Sequence, residues 1–216
     1  MRTLLCYGDS NTHGTVPLPA GSPRARYGPD MRWPRRLARQ LGAGWHVIEE
    51  GLPGRTAAST DPLSRAERNG HATLAAILES HRPLDAVVLM LGTNDLKRRF
   101  NLTAADIGRA VERLGRMILD TSWDHASGPD GGAPRLIVVS PPPLPEDGPF
   151  ASEEPGAAAL SRVASGAIRD AAGRMGAEWL DAGEVTPFSA IDGVHLDEDG
   201  HAALARALGD RLSRIT

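Results

Sequence analysis

Cysteine is almost absent from the sequence: Cys6 stands alone, so no disulfide can close within the chain. It lies in an apolar run, where a free thiol acts as a small buried filler. Lysine is as scarce. Lys97 is the only lysine among 24 basic residues, and the rest are arginine. Neither sign of charge dominates either. The formal net charge is -3, which excludes the basic footprint of a nucleic-acid binder and the acidic block of a solvated tail. No apolar run approaches the roughly 20 residues of a membrane span. The opening segment Met1–Tyr7 is too short for a secretory leader, so no membrane is expected and a cytoplasmic location is. No HExxH and no His–Cys–carboxylate cluster with ligand spacing occurs, so no metal is expected. There is no Walker-type loop, no GxGxxG after a strand and no GxSxG elbow, which argues against phosphate-loop and dinucleotide folds and against the α/β-hydrolase fold. No cofactor is expected.

What is present fits one domain spanning residues 1–216, with 41% hydrophobic and 24% charged residues, ordinary values for a globular chain. Short apolar runs at 3–7, 46–49, 85–91, 135–140 and 177–180 read as strands. The runs at 85–91 and 135–140 are nearly continuous, the pattern of strands covered on both faces in a parallel sheet. Helical patterns lie between them. Pro34 opens one and Gly42 stops it. Leu74, Ile77 and Leu78 share a helical face. So do Ile107, Val111, Leu114 and Ile118, in a helix over about 104–120 with Thr103 as N-cap and Asp106 three residues on. Residues 157–175 and 198–214 complete the set. The alternation predicts an α/β three-layer domain. Two long loops, 15–32 and 141–156, interrupt it, and residues 124–134 read as a surface turn.

Open parallel sheets bind ligands beyond the carboxyl ends of their strands. Gly8-Asp9-Ser10-Asn11 follows the first strand and Glu50-Gly51-Leu52-Pro53-Gly54-Arg55 the second. Gly92-Thr93-Asn94-Asp95 follows the third, and Asp192-Gly193-Val194-His195 comes after the fifth. Together they supply a hydroxyl, glycine-flanked N–H groups, a carboxamide, a carboxylate and an imidazole, the equipment of acyl transfer. Each piece alone is weak. Gly-Asp-Ser is usually a turn or a cap, and Asp-x-x-His recurs by chance; the order after successive strands carries the signal. Ser10 is the expected nucleophile, His195 its base and Asp192 the orienting acid, with Asp95 and Asp181 as rival acids. His13 is the competing base, expected instead to line the pocket with Asn11, Thr93 and Val194. A neutral imidazole base predicts activity that rises with pH.

These segments resemble the four blocks of the SGNH (GDSL-type) hydrolase family: Gly8-Asp9-Ser10, Gly54, Gly92-x-Asn94-Asp95 and Asp192-x-x-His195, in the family's order across most of the chain. The resemblance implies a flavodoxin-like, five-stranded parallel sheet of order 2-1-3-4-5. It also implies an oxyanion hole made by the Ser10 and Gly54 N–H groups and the Asn94 amide. Val47–Leu52, Met90–Asp95, Val139–Leu144 and Arg32-Trp33 are similar to the bacterial arylesterase/acyltransferase subgroup. That likeness implies a small-molecule ester substrate, acyl transfer to alcohols or peroxide, and a homo-oligomer. The sequence departs in two places: Asn11 stands where the block has leucine, and Thr15 where a subgroup member carries a bulky aromatic. Val16, Leu18, Tyr27, Met31, Trp33, Leu144 and Phe150, in or beside the two loops, are expected to offer apolar surface for an interface or a lid.

Overall fold

The computed structural model describes residues 1–64, 66–120 and 132–213. Five strands form one parallel sheet: β1 (Arg2–Gly8), β2 (Trp45–Gly51), β3 (Ala86–Met90), β4 (Arg135–Ser140) and β5 (Glu178–Asp181), in the order β2-β1-β3-β4-β5. This is the expected α/β fold and strand order. Every residue of β3 is buried, as is β4 beyond its first residue, because helices cover both faces. On one side α2 (Trp33–Leu41) packs with α7 (Glu198–Leu212); on the other, α3 (Gly70–His81), α4 (Ala104–Leu119) and α6 (Ala157–Met175) pack together. The apolar stripe of α4 is buried at Ile107, Val111, Leu114 and Ile118. Its N-terminus carries the capping box that the sequence predicts: Asp106 N–H donates to Thr103 Oγ1 at 3.2 Å and Thr103 N–H to Asp106 Oδ2 at 2.9 Å, satisfying two otherwise unpaired donors.

The surface turn expected at 124–134 falls, for residues 124–131, outside the described residues. The loop at 141–156 carries a short helix, α5 (Pro149–Glu153), with proline in its first turn. The apolar interface expected from the loops is corrected in part. Trp33 and Leu144 are fully buried in their own domain, and Tyr27 packs edge-on against His201 with ring centroids 5.4 Å apart. Val16, Leu18, Met31 and Phe150 remain half-buried. Among the described residues no helix is long and apolar enough to cross a membrane.

The sheet register brings Gly8, Gly51 and Met90 side by side at the carboxyl edge. The chain turns there into α1 (Ser10–His13), a single helical turn. That turn requires glycine at position 8. A Cβ would sit 2.0 Å from Thr12 Oγ1 and 2.8 Å from the Met90 carbonyl oxygen.

Candidate active site

Ser10 opens α1 immediately beyond β1. The preceding Asp9 is the cap: its carboxylate accepts the Asn11 N–H at 2.9 Å. The seryl residue is thereby fixed by backbone geometry, and its side chain stays 7% exposed at the floor of a cleft of about 530 Å³. Gly54, Asn94, Asp192 and His195 line the same cleft, with His13 and Val194. Asn11 and Thr93 do not; both are buried behind it.

Gly54 lies in a turn closed by Arg55 N–H donating to the Leu52 carbonyl, with φ +83°, a conformation that side chains other than glycine's disfavour. Asn94 begins a 3-10 turn after Gly92, and its Nδ2 donates to the Arg55 carbonyl at 3.1 Å. That bond orients the amide and leaves its second N–H for a ligand. Arg55 itself is a buried hub, a role that its place in the segment after β2 does not announce. Its guanidinium donates to the Gly8 carbonyl at 2.9 Å and to the Glu50 carbonyl, and lies 4.1 Å from the Tyr7 ring centroid. It ties the ends of β1 and β2 to the turn that bears Gly54. A Gly-Arg dipeptide reads as a surface turn, so no local signal gives this away.

His195 follows Asp192 by three residues. Asp192 Oδ2 lies 2.7 Å from His195 Nδ1, and Oδ1 accepts the Val194 and His195 N–H groups at 3.1 and 3.0 Å. Burial pushes the Asp192 carboxyl up, but the His195 hydrogen bond and charge and the two backbone donors outweigh it, so the net shift is downward. An ionised carboxylate only accepts, so Nδ1 carries the proton and Nε2 is left as the basic nitrogen. The rival acids are engaged elsewhere. Asp95 accepts the Ala57 N–H at 2.9 Å, and Asp181 accepts the Ser165 hydroxyl at 2.7 Å and the Gly183 N–H at 2.8 Å. His13 lies beside Thr15 in the cleft; burial, then Arg26 and Arg32, lower its pKa from the ordinary histidine value against the pull of Glu49. Among the described residues no group of three or more His, Cys, Asp and Glu side chains is placed to hold a metal ion.

Asn11 has a different task from pocket lining. Its Nδ2 donates to the Val194 carbonyl at 3.1 Å and its Oδ1 accepts the Leu196 N–H at 2.9 Å. The two bonds bracket His195 and clamp its loop to α1. Asn11→Leu, which restores the residue of the family block, removes both. It leaves a buried donor and acceptor unpaired, at about 1–3 kcal/mol each. The variant should melt at a lower temperature and lose about ten- to a hundredfold in kcat, with KM little changed, because a shifted imidazole costs rate more than binding. Thermal melts and steady-state kinetics check this; a kcat within twofold of wild type refutes the clamp.

Asp9 and Asp95 are buried carboxylates beneath the cleft floor, each 1% exposed. Burial pushes Asp95 up to about 7, with Asp9 adding to the shift and the Ala57 N–H opposing it. Burial also raises Asp9. The folded chain therefore holds a proton that the unfolded chain releases at the ordinary carboxylate pKa of roughly 4. Stability should fall as pH climbs from there towards 7. Asp95→Asn should flatten that decline in calorimetric melts; parallel slopes in both proteins would refute the assignment.

Residues 6–203 match the GDSL-like lipase/acylhydrolase family. No curated protein gives a significant match. Among solved structures, the native aryl esterase of M. smegmatis is 36% identical over 100% of both chains, with a TM-score of 0.91. A carbohydrate acetylesterase from Sinorhizobium meliloti is 38% identical over 100% of both chains, with a TM-score of 0.92. The resemblance drawn from the four sequence blocks holds. The chain belongs to the GDSL-like lipase/acylhydrolase family and is a carboxylic ester hydrolase.

Proposed function

We propose that the protein is a serine esterase for short acyl esters, working through an acyl-enzyme on Ser10. The observation that carries this reading is the Asp192–His195 pair, set in one cleft with Ser10, Gly54 and Asn94. Ser10 Oγ attacks the ester carbonyl while His195 Nε2 takes its proton. His195 then returns that proton to the departing alkoxide. Asp192 holds the tautomer and stabilises the imidazolium. The Ser10 and Gly54 N–H groups and the free N–H of Asn94 receive the oxyanion, where each donor contributes most in the transition state. Water, or an alcohol or peroxide in the cleft, resolves the acyl-enzyme.

The size of the acyl group follows from the walls. Thr15, Val16, Leu18 and Phe150 line the cleft with Ser10, and bulk from these walls limits the acyl chain that fits. In a homo-oligomer, neighbouring copies seated against the half-buried Val16, Leu18 and Phe150 would narrow the cleft further and shed water, favouring alcohol over hydrolysis. The similarity to the S. meliloti carbohydrate acetylesterase supports a small acyl group, and the similarity to the M. smegmatis aryl esterase supports ester cleavage. A panel of p-nitrophenyl esters should give the highest kcat/KM from acetyl to butyryl, and added alcohol should divert product to the transfer ester. Light scattering should return a multiple of 22.9 kDa. A preference for chains of eight carbons or more, on a monomer, would overturn the acyl-size and assembly reading.

A further inference from the structure

The cleft is charged opposite to the protein that carries it. The chain is net negative, at -3. Yet Arg24, Arg26, Arg68 and Lys97 line the cleft against only two carboxylates, Glu153 and Asp192. Asp192 is committed to His195 at 2.7 Å, and Glu153 is exposed to solvent at the outer wall. Arg26 is tied down by its Nε donating to the His13 carbonyl at 2.7 Å and lies 4.0 Å from Glu49, a carboxylate it shares with Arg32.

Arg68 and Lys97 differ from Arg26. Among the described residues neither has a carboxylate within ion-pair distance, although both are half-buried. Arg68 lies over Gly54: a Cβ on that glycine would meet Arg68 Nη1 at 3.0 Å and Cδ at 3.2 Å. Lys97 comes three residues after Asn94, at the end of the same 3-10 turn. The carboxylates nearest Lys97 are occupied. Arg99 binds both oxygens of Asp61 at 3.0 and 2.8 Å and reaches Glu154 at 3.5 Å. Burial, with Arg99 adding to it, lowers the Lys97 pKa from its ordinary value, against Asp61, Glu154 and Asp9, which marks an ammonium without a close counter-ion. Two cations kept half-desolvated and unpaired beside the reacting centre cost stability unless something else in the cleft uses them.

We infer that Arg68 and Lys97 form an anion-recognising subsite, and that the preferred substrates are esters bearing a carboxylate close to the scissile bond. The inference rests on the Ser10 esterase reading and adds the charge of the substrate to it. The guanidinium offers a two-pronged donor set matched to a carboxylate, and the ammonium a mobile point charge. In a cleft with low-dielectric walls their field also draws anions in from solution. The carboxylate can sit in either half of the ester, and the two sources share one recognition chemistry.

Two substrate pairs distinguish the sources. For the leaving group, 4-acetoxybenzoate is compared with its methyl ester. For the acyl group, p-nitrophenyl hemisuccinate is compared with its methyl-capped twin. The readout is selectivity, kcat/KM of the anionic ester divided by that of its neutral twin. Comparing one pair between enzymes cancels intrinsic reactivity. In the Arg68→Gln, Lys97→Gln double variant, selectivity should fall roughly tenfold in at least one pair, the size of a lost charged hydrogen bond. A fall below threefold in both pairs overturns the subsite. Wild-type enzyme gives an independent reading that needs no folded variant: raising KCl from about 0.05 to about 0.5 M should lower the selectivity of the favoured pair, because salt screens the attraction. Selectivity indifferent to salt in both pairs overturns it too. Hydrolysis of the neutral twins without anion selectivity would sink the subsite alone; hydrolysis of none of the four esters would sink the esterase reading with it.

Discussion

Ser10→Ala should lower kcat on short acyl esters by on the order of 10⁶ and abolish covalent labelling by a fluorophosphonate, while the melting temperature stays near that of wild type. The size follows from the division of labour in the cleft. Without Oγ no acyl-enzyme forms, and His195 has no proton to take. The backbone N–H of residue 10, Gly54 and Asn94 would still receive an oxyanion, so a residual rate above that of water is expected. The fold should tolerate the change for local reasons. The cap of α1 is Asp9, not Ser10, and alanine is the better helix former. Among the described residues Ser10 Oγ makes no hydrogen bond that the substitution would break. Circular dichroism and melting separate loss of chemistry from loss of fold. Near-normal turnover of p-nitrophenyl acetate by a folded Ser10→Ala variant would remove the nucleophile assignment.

The centre of the sheet was legible because β3 and β4 are apolar on both faces: Asp85–Leu91 and Arg135–Ser140 admit no amphipathic alternative, and the two strands lie within those bounds. The capping box at Thr103 and Asp106 was legible because its geometry is local. Ser10, Asp192 and His195 were legible as residues that meet at one cleft, because they follow the carboxyl ends of β1 and β5, the edge at which an open parallel sheet places its ligand site. What escaped depends on distant partners. Arg55 is buried because two strand-end carbonyls and the Tyr7 ring wait for it, and none of these is visible from residues 53–56. Asn11 looked like pocket lining because it adjoins the nucleophile. Its partners are 183 and 185 residues away. Trp33 and Leu144 looked like interface residues because they flank or lie within loops rich in proline and glycine. Composition does not say which way a loop residue points, and both point into the core.

Asp192→Asn should cost roughly 10⁴ in kcat, the scale on which a serine triad suffers when its histidine is held in the wrong tautomer. The hydrogen bonds around Asp192 dictate that tautomer. Oδ1 accepts two backbone N–H groups, from Val194 and His195, and Oδ2 faces His195 Nδ1. An asparagine in this place has one acceptor and one donor end. Its oxygen must stay on the two backbone donors, since an NH₂ group there would oppose both. The NH₂ is then forced towards Nδ1, which must become the acceptor. The ring proton moves to Nε2, the nitrogen needed as base, and the imidazole points a hydrogen at the serine instead of a lone pair. The loop itself should survive, because its two backbone bonds and the Asn11 clamp remain. KM should therefore change little while kcat collapses, the signature of an interaction used in the transition state. The pH dependence of stability gives a second reading. Asp192 has its pKa depressed in the folded chain, so it contributes stability above the ordinary carboxylate pKa that is lost as pH falls through the folded value. Asp192→Asn should remove that part of the acid-side loss. An Asp192→Asn enzyme within tenfold of wild-type kcat would mean that the imidazole works from a tautomer this hydrogen-bond set forbids, and Asp192 would be only a brace for the loop.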